Sequence, residues 1–448
     1  MSMPSTAVLM TLLLGASLVA PGVGLAQEAL ENMPENMGVA IVEKLIAGQV
    51  SEIVAVFGPE MAAAVPDTVL RQSWDQLTAI EGPVRRVGTP RTTRQDDDVV
   101  VTVVPVQFAR KSFDIRVAIR AGRVAGLRIV PAEPNREPWS VPSYVDNAAF
   151  TETEVEIGKA PLILPGTLSL PRGRDKVPAV VLVHGSGSHD RNEAIGPNRP
   201  FQDLAQGLAS RGIASLRYEK RTKVYPERFA AAHRFTVREE TMEDAAAAVA
   251  LMLGRAEVDA GRVVLVGHSL GGTLAPRIAL EEPRIAAIII LAGATRPIPD
   301  LMVEQIEYIA ALSGRPDAAE ASVKLRAEAA RARGAKSDDA GPPIFNCPPS
   351  YWADLNAYDA AAAAARLSLP TLILQGGRDY QVTSRDLYRF KQALERHANV
   401  TIREFPRLNH LFMAGEGNSR PEEYDRPSHV DEEVIGAIAA FINGLAPK

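Results

Sequence analysis

The chain has little cysteine, no excess of positive charge and no long apolar run beyond its first residues, and each shortage removes a class of protein. Cys347 is the lone cysteine in 448 residues, so no internal disulfide can form and a small disulfide-stapled scaffold is excluded. Both a reduced compartment and an exported protein that avoids cysteine remain open. Lys and Arg number 49 against 54 Asp and Glu, which leaves no basic footprint for nucleic acid at the level of the whole chain. The cluster Lys220, Arg221, Lys223 reads as a solvated strand end. The internal apolar stretch at 285–292 is of strand length, far short of the ~20 residues a membrane-spanning helix needs. H-E-x-x-H is missing and no His/Cys spacing suggests zinc, so neither a metal nor a cofactor is expected. No fixed-period repeat is found.

What is present is the composition of an ordinary globular protein, 46% hydrophobic and 23% charged, at a length that suits two or three domains. Residues 7–20 are apolar or small, Pro21 and Gly22 break any helix, and Gly24-Leu25-Ala26 places small residues at the −3 and −1 positions of a cleavage site. This reads as a signal peptide over residues 1–26, although residues 2–6 lack Lys and Arg. A periplasmic or secreted protein without a membrane span after cleavage is the expectation.

Residues 36–80 carry apolar residues at helical spacing, as in GVAIVEKLIAG. The period then changes to two, with strands expected at 84–92, 99–108, 112–119 and 123–130 and a hairpin turn at Ala121-Gly122. Helices followed by an antiparallel meander make a small α+β domain over residues 33–132. A proline-spaced polar stretch then opens a linker at 133–147. From residue 148 to 446 strands alternate with helices. Strands are expected at 152–157, 162–170, 179–184, 214–218, 263–267, 286–291, 371–375 and 400–405, mostly short apolar runs of the kind buried on both faces of a parallel sheet. Such an alternation implies a doubly wound α/β sheet whose ligand site lies at the carboxyl ends of the strands. Alanine-rich, helix-favouring sequence at about 296–366 is too long for a plain crossover and is expected to form a helical cap. Phe345, Tyr351 and Trp352 are its candidates for lining a pocket, with core packing as the alternative.

Gly267-His268-Ser269-Leu270-Gly271-Gly272 runs from a β-branched strand straight into a helix. This is the pattern of a nucleophile elbow, in which a serine hydroxyl is pushed out on a sharp turn and glycines avoid a clash across it. A serine needs a base, and the base needs an acid to fix its tautomer. On this fold the order is serine, acid, histidine. Asp379 follows the 371–375 strand in Gly376-Gly377-Arg378-Asp379 and is the candidate acid, ahead of Asp386 and Glu404. His410 follows the last strand in Leu408-Asn409-His410 and is the candidate base, with His429 as the rival; His184 and His268 read as parts of backbone turns. The candidate oxyanion donors are the amides of Leu270 and of Ser186, the latter in the glycine-bearing loop His184-Gly185-Ser186-Gly187. A phosphate cradle is not expected, because the Lys-Ser/Thr of a P-loop is missing.

GHSLGG, GGRDYQV and LNHLF together resemble the α/β-hydrolase family over about residues 148–446. The segment HGSGSHDRNEAIGPNRPFQDLAQGLASRGIASLRYEKR at 184–221 is similar to secreted bacterial carboxylesterases of the dienelactone-hydrolase-like branch. Asn192 stands where that pattern has aspartate, and Ser188-His189 replaces a proline-containing pair. The resemblance implies a serine carboxylesterase acting on a small-molecule ester. It also implies that Asp190, Arg191 and Glu193 brace the oxyanion loop, against the alternative of a solvated polar turn. Residues 33–132 resemble cystatin-like or nuclear-transport-factor-like domains in element order, which implies pairing into a homodimer or recruitment of substrate. Peptidase or acyltransferase chemistry on the same residues, and a non-catalytic binding protein, remain as alternatives.

Overall fold

The computed structural model describes residues 34–446, apart from 97, 110, 133–138, 231 and 314–317. The signal-peptide segment lies outside the described residues. The chain divides into two compact units, one up to Asn135 and one from Arg136 onward.

In the first unit, helices Pro34–Ile46, Val50–Val54, Pro59–Ala64 and Asp67–Glu81 precede five strands: β1 (Val84–Val87), β2 (Arg91–Asp96), β3 (Val99–Phe108), β4 (Ser112–Arg120) and β5 (Arg123–Pro131). Ile41, Val42 and Leu45 share one helix face and pack on Val104, Val106, Ile115 and Val117, which alternate along β3 and β4 onto one side of the sheet. The single strand expected at 84–92 is split. Both β1 and β2 pair antiparallel with β3, Val87 against Val106 and Arg91 against Val103. The break falls opposite Pro105, which has no N–H to offer a neighbour, and next to Pro90, which has none either. β3, β4 and β5 form the expected meander.

The second unit begins earlier than the expected end of the linker. Trp139 Nε1 donates to Asp203 Oδ1 (2.9 Å) and the Tyr144 hydroxyl donates to Val430 O (2.8 Å), so residues from 139 on are packed rather than spanning. Its eight strands are β6 (Phe150–Lys159), β7 (Leu162–Pro171), β8 (Val177–Val183), β9 (Ala214–Tyr218), β10 (Val258–His268), β11 (Ala287–Leu291), β12 (Thr371–Gly376) and β13 (Val400–Phe405). They lie in the order β13-β12-β11-β10-β8-β9-β7-β6. From β9 to β13 the pairs are parallel, while β6/β7 and β7/β9 are antiparallel. Alternate residues of the central strands feed two cores. Val181, Val263, Leu265, Ile288 and Ile373 meet helices Glu243–Leu253, Leu270–Glu281 and Ser384–Leu394. Val180, Leu182, Val264, Ile289 and Leu372 meet helices Pro200–Ala209 and Glu432–Asn443. Burial on both faces explains why these strands read as continuous apolar runs.

The 296–366 insertion is helical, with helices Ile298–Ser313, Ala318–Gly334, Pro349–Asn356 and Ala360–Ala364. The first of these packs on the loop after β12: Tyr308 stacks on Tyr380 at 5.0 Å and Gln305 Nε2 donates to Gln381 O. Tyr351 and Trp352 take the packing alternative. Both belong to the main core, where the Tyr351 hydroxyl donates to Glu240 and Trp352 Nε1 to Ile344 O.

Candidate active site

The chain leaves β10 through Gly267 and His268 and turns at Ser269 directly into helix Leu270–Glu281. Ser269 adopts φ 52° and ψ −115°, a conformation that costs a residue with a Cβ about 1–3 kcal/mol. It is held by its N–H donating to Leu291 O (2.9 Å) and its carbonyl accepting from Thr273 N–H (2.8 Å). A Cβ on Gly267 would lie 2.2 Å from Gly271 O, and one on Gly271 would lie 2.2 Å from Val183 O. Neither position tolerates a side chain, so the turn is as tight as the sequence pattern requires.

Asp379 lies in the turn after β12. Its Oδ1 accepts from the amides of Gln381 (2.8 Å) and Val382 (3.0 Å), and its Oδ2 accepts from Gln375 Nε2 (3.1 Å). His410, in the loop after β13, places Nδ1 2.7 Å from the same Oδ2, and both residues are buried. An ionised carboxylate only accepts, so His410 donates from Nδ1 and the neutral ring has its lone pair at Nε2. The loop that carries His410 is shaped by Asn409, whose Oδ1 accepts from the amides of Leu411 (3.0 Å) and Met413 (3.1 Å). Ser269 Oγ makes no hydrogen bond among the described residues.

His268, next to the serine, ties the two halves together. Its Nε2 is 3.0 Å from His410 O and its ring lies 4.7 Å from the His410 ring. Its Nδ1 is 2.9 Å from Glu193 Oε2. Both ring nitrogens therefore face acceptors, and the histidine is held as an imidazolium. Burial opposes charge on both partners, yet the pairing prevails: the His268 pKa is raised, and the Glu193 carboxyl is pulled down to about 2 by the facing imidazolium. Glu193 Oε1 accepts from Gly185 N–H (2.6 Å). One buried carboxylate thus anchors the elbow and the loop of Gly185 and Ser186 at once. The loop lies against Ser269, because a Cβ on Gly185 would come 3.1 Å from Ser269 Cβ. The two expected oxyanion donors, Leu270 N–H at the helix start and Ser186 N–H in the loop, have no acceptor among the described residues.

A model of the alpha/beta hydrolase family matches residues 180–426, more than half of the chain. Over 326 residues the chain is 39% identical to the esterase EstD of Thermotoga maritima, covering 72% of this chain and 74% of that protein. The chain belongs to the alpha/beta hydrolase family. Solved structures similar to it include an esterase of Pyrococcus furiosus (16% identity, 69% of this chain and 99% of that one, TM-score 0.45) and a dienelactone hydrolase of Anabaena variabilis (18%, 66% and 99%, TM-score 0.40).

The rival residues of this hydrolase are engaged elsewhere. His429 Nδ1 faces Asp203 Oδ1 at 3.2 Å. Asp386 accepts from the amides of Thr295 (2.9 Å) and Arg296 (3.0 Å), and Glu404 lies within β13. Of the three residues implied as braces of the oxyanion loop, Glu193 contacts it directly. Asp190 Oδ1 accepts from Asn192 N–H (3.0 Å) and Ala194 N–H (2.9 Å), closing the turn, and Arg191 binds Glu154 and Glu219.

Two expectations are corrected. Lys220 and Arg221 are not a solvated strand end: they are 2% and 6% exposed, and only Lys223 reaches solvent. Arg221 grips Asp244 through Nε, and Lys220 Nζ lies 2.6 Å from Glu240 Oε1. Their position just past the carboxyl end of β9 was the available signal, since that edge of the sheet is where ligand sites form. His268, read as part of a turn, is an ionic tie to Glu193. Among the described residues no three His, Cys, Asp or Glu side chains converge as a metal set, and no helix is long and apolar enough to cross a membrane.

Proposed function

We propose that this hydrolase is a serine carboxylesterase in which Ser269 is the nucleophile, His410 the general base and Asp379 the residue that orients His410. The relation to the esterase EstD supports hydrolysis of a carboxylic ester. The observation that carries the residue assignment is the 2.7 Å contact of His410 Nδ1 with Asp379, on loops tied through His268 Nε2 and His410 O (3.0 Å) to the strained elbow of Ser269. His410 Nε2 takes the Ser269 proton as Oγ bonds to the ester carbonyl carbon, and the carbonyl oxygen becomes an oxyanion received by the amides of Leu270 and Ser186. Collapse breaks the bond to the alkoxy group, which leaves with the proton from His410. Water, deprotonated by the same Nε2, then releases the acid and restores Ser269. Donors aimed at the developing charge lower the barrier because they bind the transition state more tightly than the ester.

A fluorophosphonate probe should label Ser269 stoichiometrically, and Ser269→Ala should abolish labelling and hydrolysis of p-nitrophenyl esters. Labelling of another serine, located by mass spectrometry, would overturn the assignment. Assays with peptide and acyl-acceptor substrates separate esterase from peptidase or acyltransferase action.

We further propose export, on the apolar 7–20 segment and the small residues before position 27, and a nuclear-transport-factor-like role for the first unit in pairing two chains. Cell fractionation and sedimentation of the full chain test these two readings. A cytoplasmic protein or a strict monomer would remove the corresponding one.

A further inference from the structure

The oxyanion loop has four backbone polar groups at Gly185 and Ser186, and three are occupied. Gly185 N–H donates to Glu193 Oε1 (2.6 Å), Gly185 O accepts from Lys220 Nζ (2.8 Å), and Ser186 O faces His189 Nε2 (2.7 Å). The fourth, Ser186 N–H, has no acceptor among the described residues. It belongs to the same peptide group as Gly185 O. That peptide is trans, so its C=O and N–H point in opposite directions within one plane. Whatever holds the carbonyl on one side aims the N–H on the other.

What holds it is an ammonium in an expensive place. Lys220 is 2% exposed, and taking such a charge out of water costs several kcal/mol, offset only by good partners. Its partners are Glu240 Oε1 at 2.6 Å and the Gly185 carbonyl, with the Glu240 carboxylate also accepting from the Tyr351 hydroxyl (3.2 Å). Glu240 is delivered by a widened π-helical turn, Arg238–Met242, ahead of helix Glu243–Leu253. An apolar side chain of similar volume would fill the space without this cost, but it could not hold a carbonyl. A charged donor on a peptide oxygen also polarises the amide, which makes the N–H at its other end a stronger donor.

We propose that Lys220 is a positioning residue for the hydrolytic reaction: through the Gly185–Ser186 peptide, its ammonium aims and strengthens the Ser186 amide as the second oxyanion donor. Glu240 and Tyr351 hold the ammonium in place, Lys220 holds the Gly185–Ser186 peptide at its carbonyl, and Glu193 fixes the peptide before it through Gly185 N–H. The inference rests on the proposed role of Ser269.

The test compares Lys220→Met, Glu240→Gln and the double variant K220M/E240Q, in which no buried charge is left unpaired. Losing one oxyanion donor costs about 10²–10³ in kcat, and misaiming it should cost Lys220→Met about 10- to 100-fold with KM nearly unchanged. Fluorophosphonate labelling of Ser269 should slow in parallel, since displacement of fluoride also develops negative charge on a phosphoryl oxygen that the hole would receive. Glu240→Gln removes the carboxylate that holds the ammonium in place, so its kcat should fall in the same direction as that of Lys220→Met and by no more than it. If Lys220→Met does not fold, K220M/E240Q should show the same loss. Folded Lys220→Met or double variant with kcat and labelling rate within twofold of the parent would refute the proposal while leaving the Ser269 reading intact. Failure of the parent enzyme to be labelled at Ser269 would instead remove the reading on which it rests.

Discussion

Glu193→Gln isolates one buried charge, and its effect on stability should depend on pH with a defined sign. Glu193 is 1% and His268 5% exposed, with 2.9 Å between Oε2 and Nδ1. The Glu193 carboxyl falls from 4.5 to about 2 because the attraction of the His268 imidazolium outweighs burial, which corresponds to about 3 kcal/mol at about 1.4 kcal/mol per pH unit. That contribution is present above pH 4.5 and is lost as the pH falls toward about 2. The His268 pKa lies above 6.5 for the matching reason, so its contribution is complete below pH 6.5 and is lost as the pH rises through the folded value. The pair therefore stabilises most between about pH 4.5 and 6.5. Glutamine keeps an oxygen for Gly185 N–H and can donate to a neutral His268, so hydrogen bonding survives and the charge does not. Urea unfolding should show Glu193→Gln destabilised by about 2–3 kcal/mol at pH 5.5, with the deficit shrinking as the pH rises through the raised His268 pKa. A deficit independent of pH would refute the ion-pair account and leave a packing defect in its place.

His410→Ala should lower kcat by several orders of magnitude, because the members of such a triad act as a unit, whereas His429→Ala should retain most activity and lose only the stability of its contact with Asp203; the reverse pattern in steady-state kinetics would reassign the base. A chain beginning at Arg136 keeps Trp139 and Tyr144 and should fold and hydrolyse a small soluble ester within about tenfold of the full chain, a barrier difference of ~1.4 kcal/mol. Loss of folded protein on that truncation would show that the first unit completes the core of the second.

Local pattern was enough wherever a backbone requirement wrote itself into residue types. The β-branched run before Gly267, the glycines around Ser269 and the helix after it admit one turn, and the apolar runs of β8, β10 and β11 admit a strand buried on both faces. The order of Ser269, Asp379 and His410 along the chain followed from strand ends, because each lies just past one. The break between β1 and β2 was less legible, since its cause sits opposite, at Pro105 on another strand. The burial of Lys220 was not legible at all. A lysine beside an arginine at a strand end has the composition of a surface, and only the π-turn that brings Glu240, twenty residues later, makes its burial affordable. Likewise His268 and Glu193 are separated by 75 positions, and nothing local distinguishes an imidazolium anchor from a turn residue. The sequence by itself determined the strands, the elbow and the place of the catalytic candidates just past strand ends, because these depend on local pattern and steric rules between near neighbours. Tertiary structure alone decided which charges are buried and what each one holds, because the energy of a buried charge depends on partners brought from distant parts of the chain.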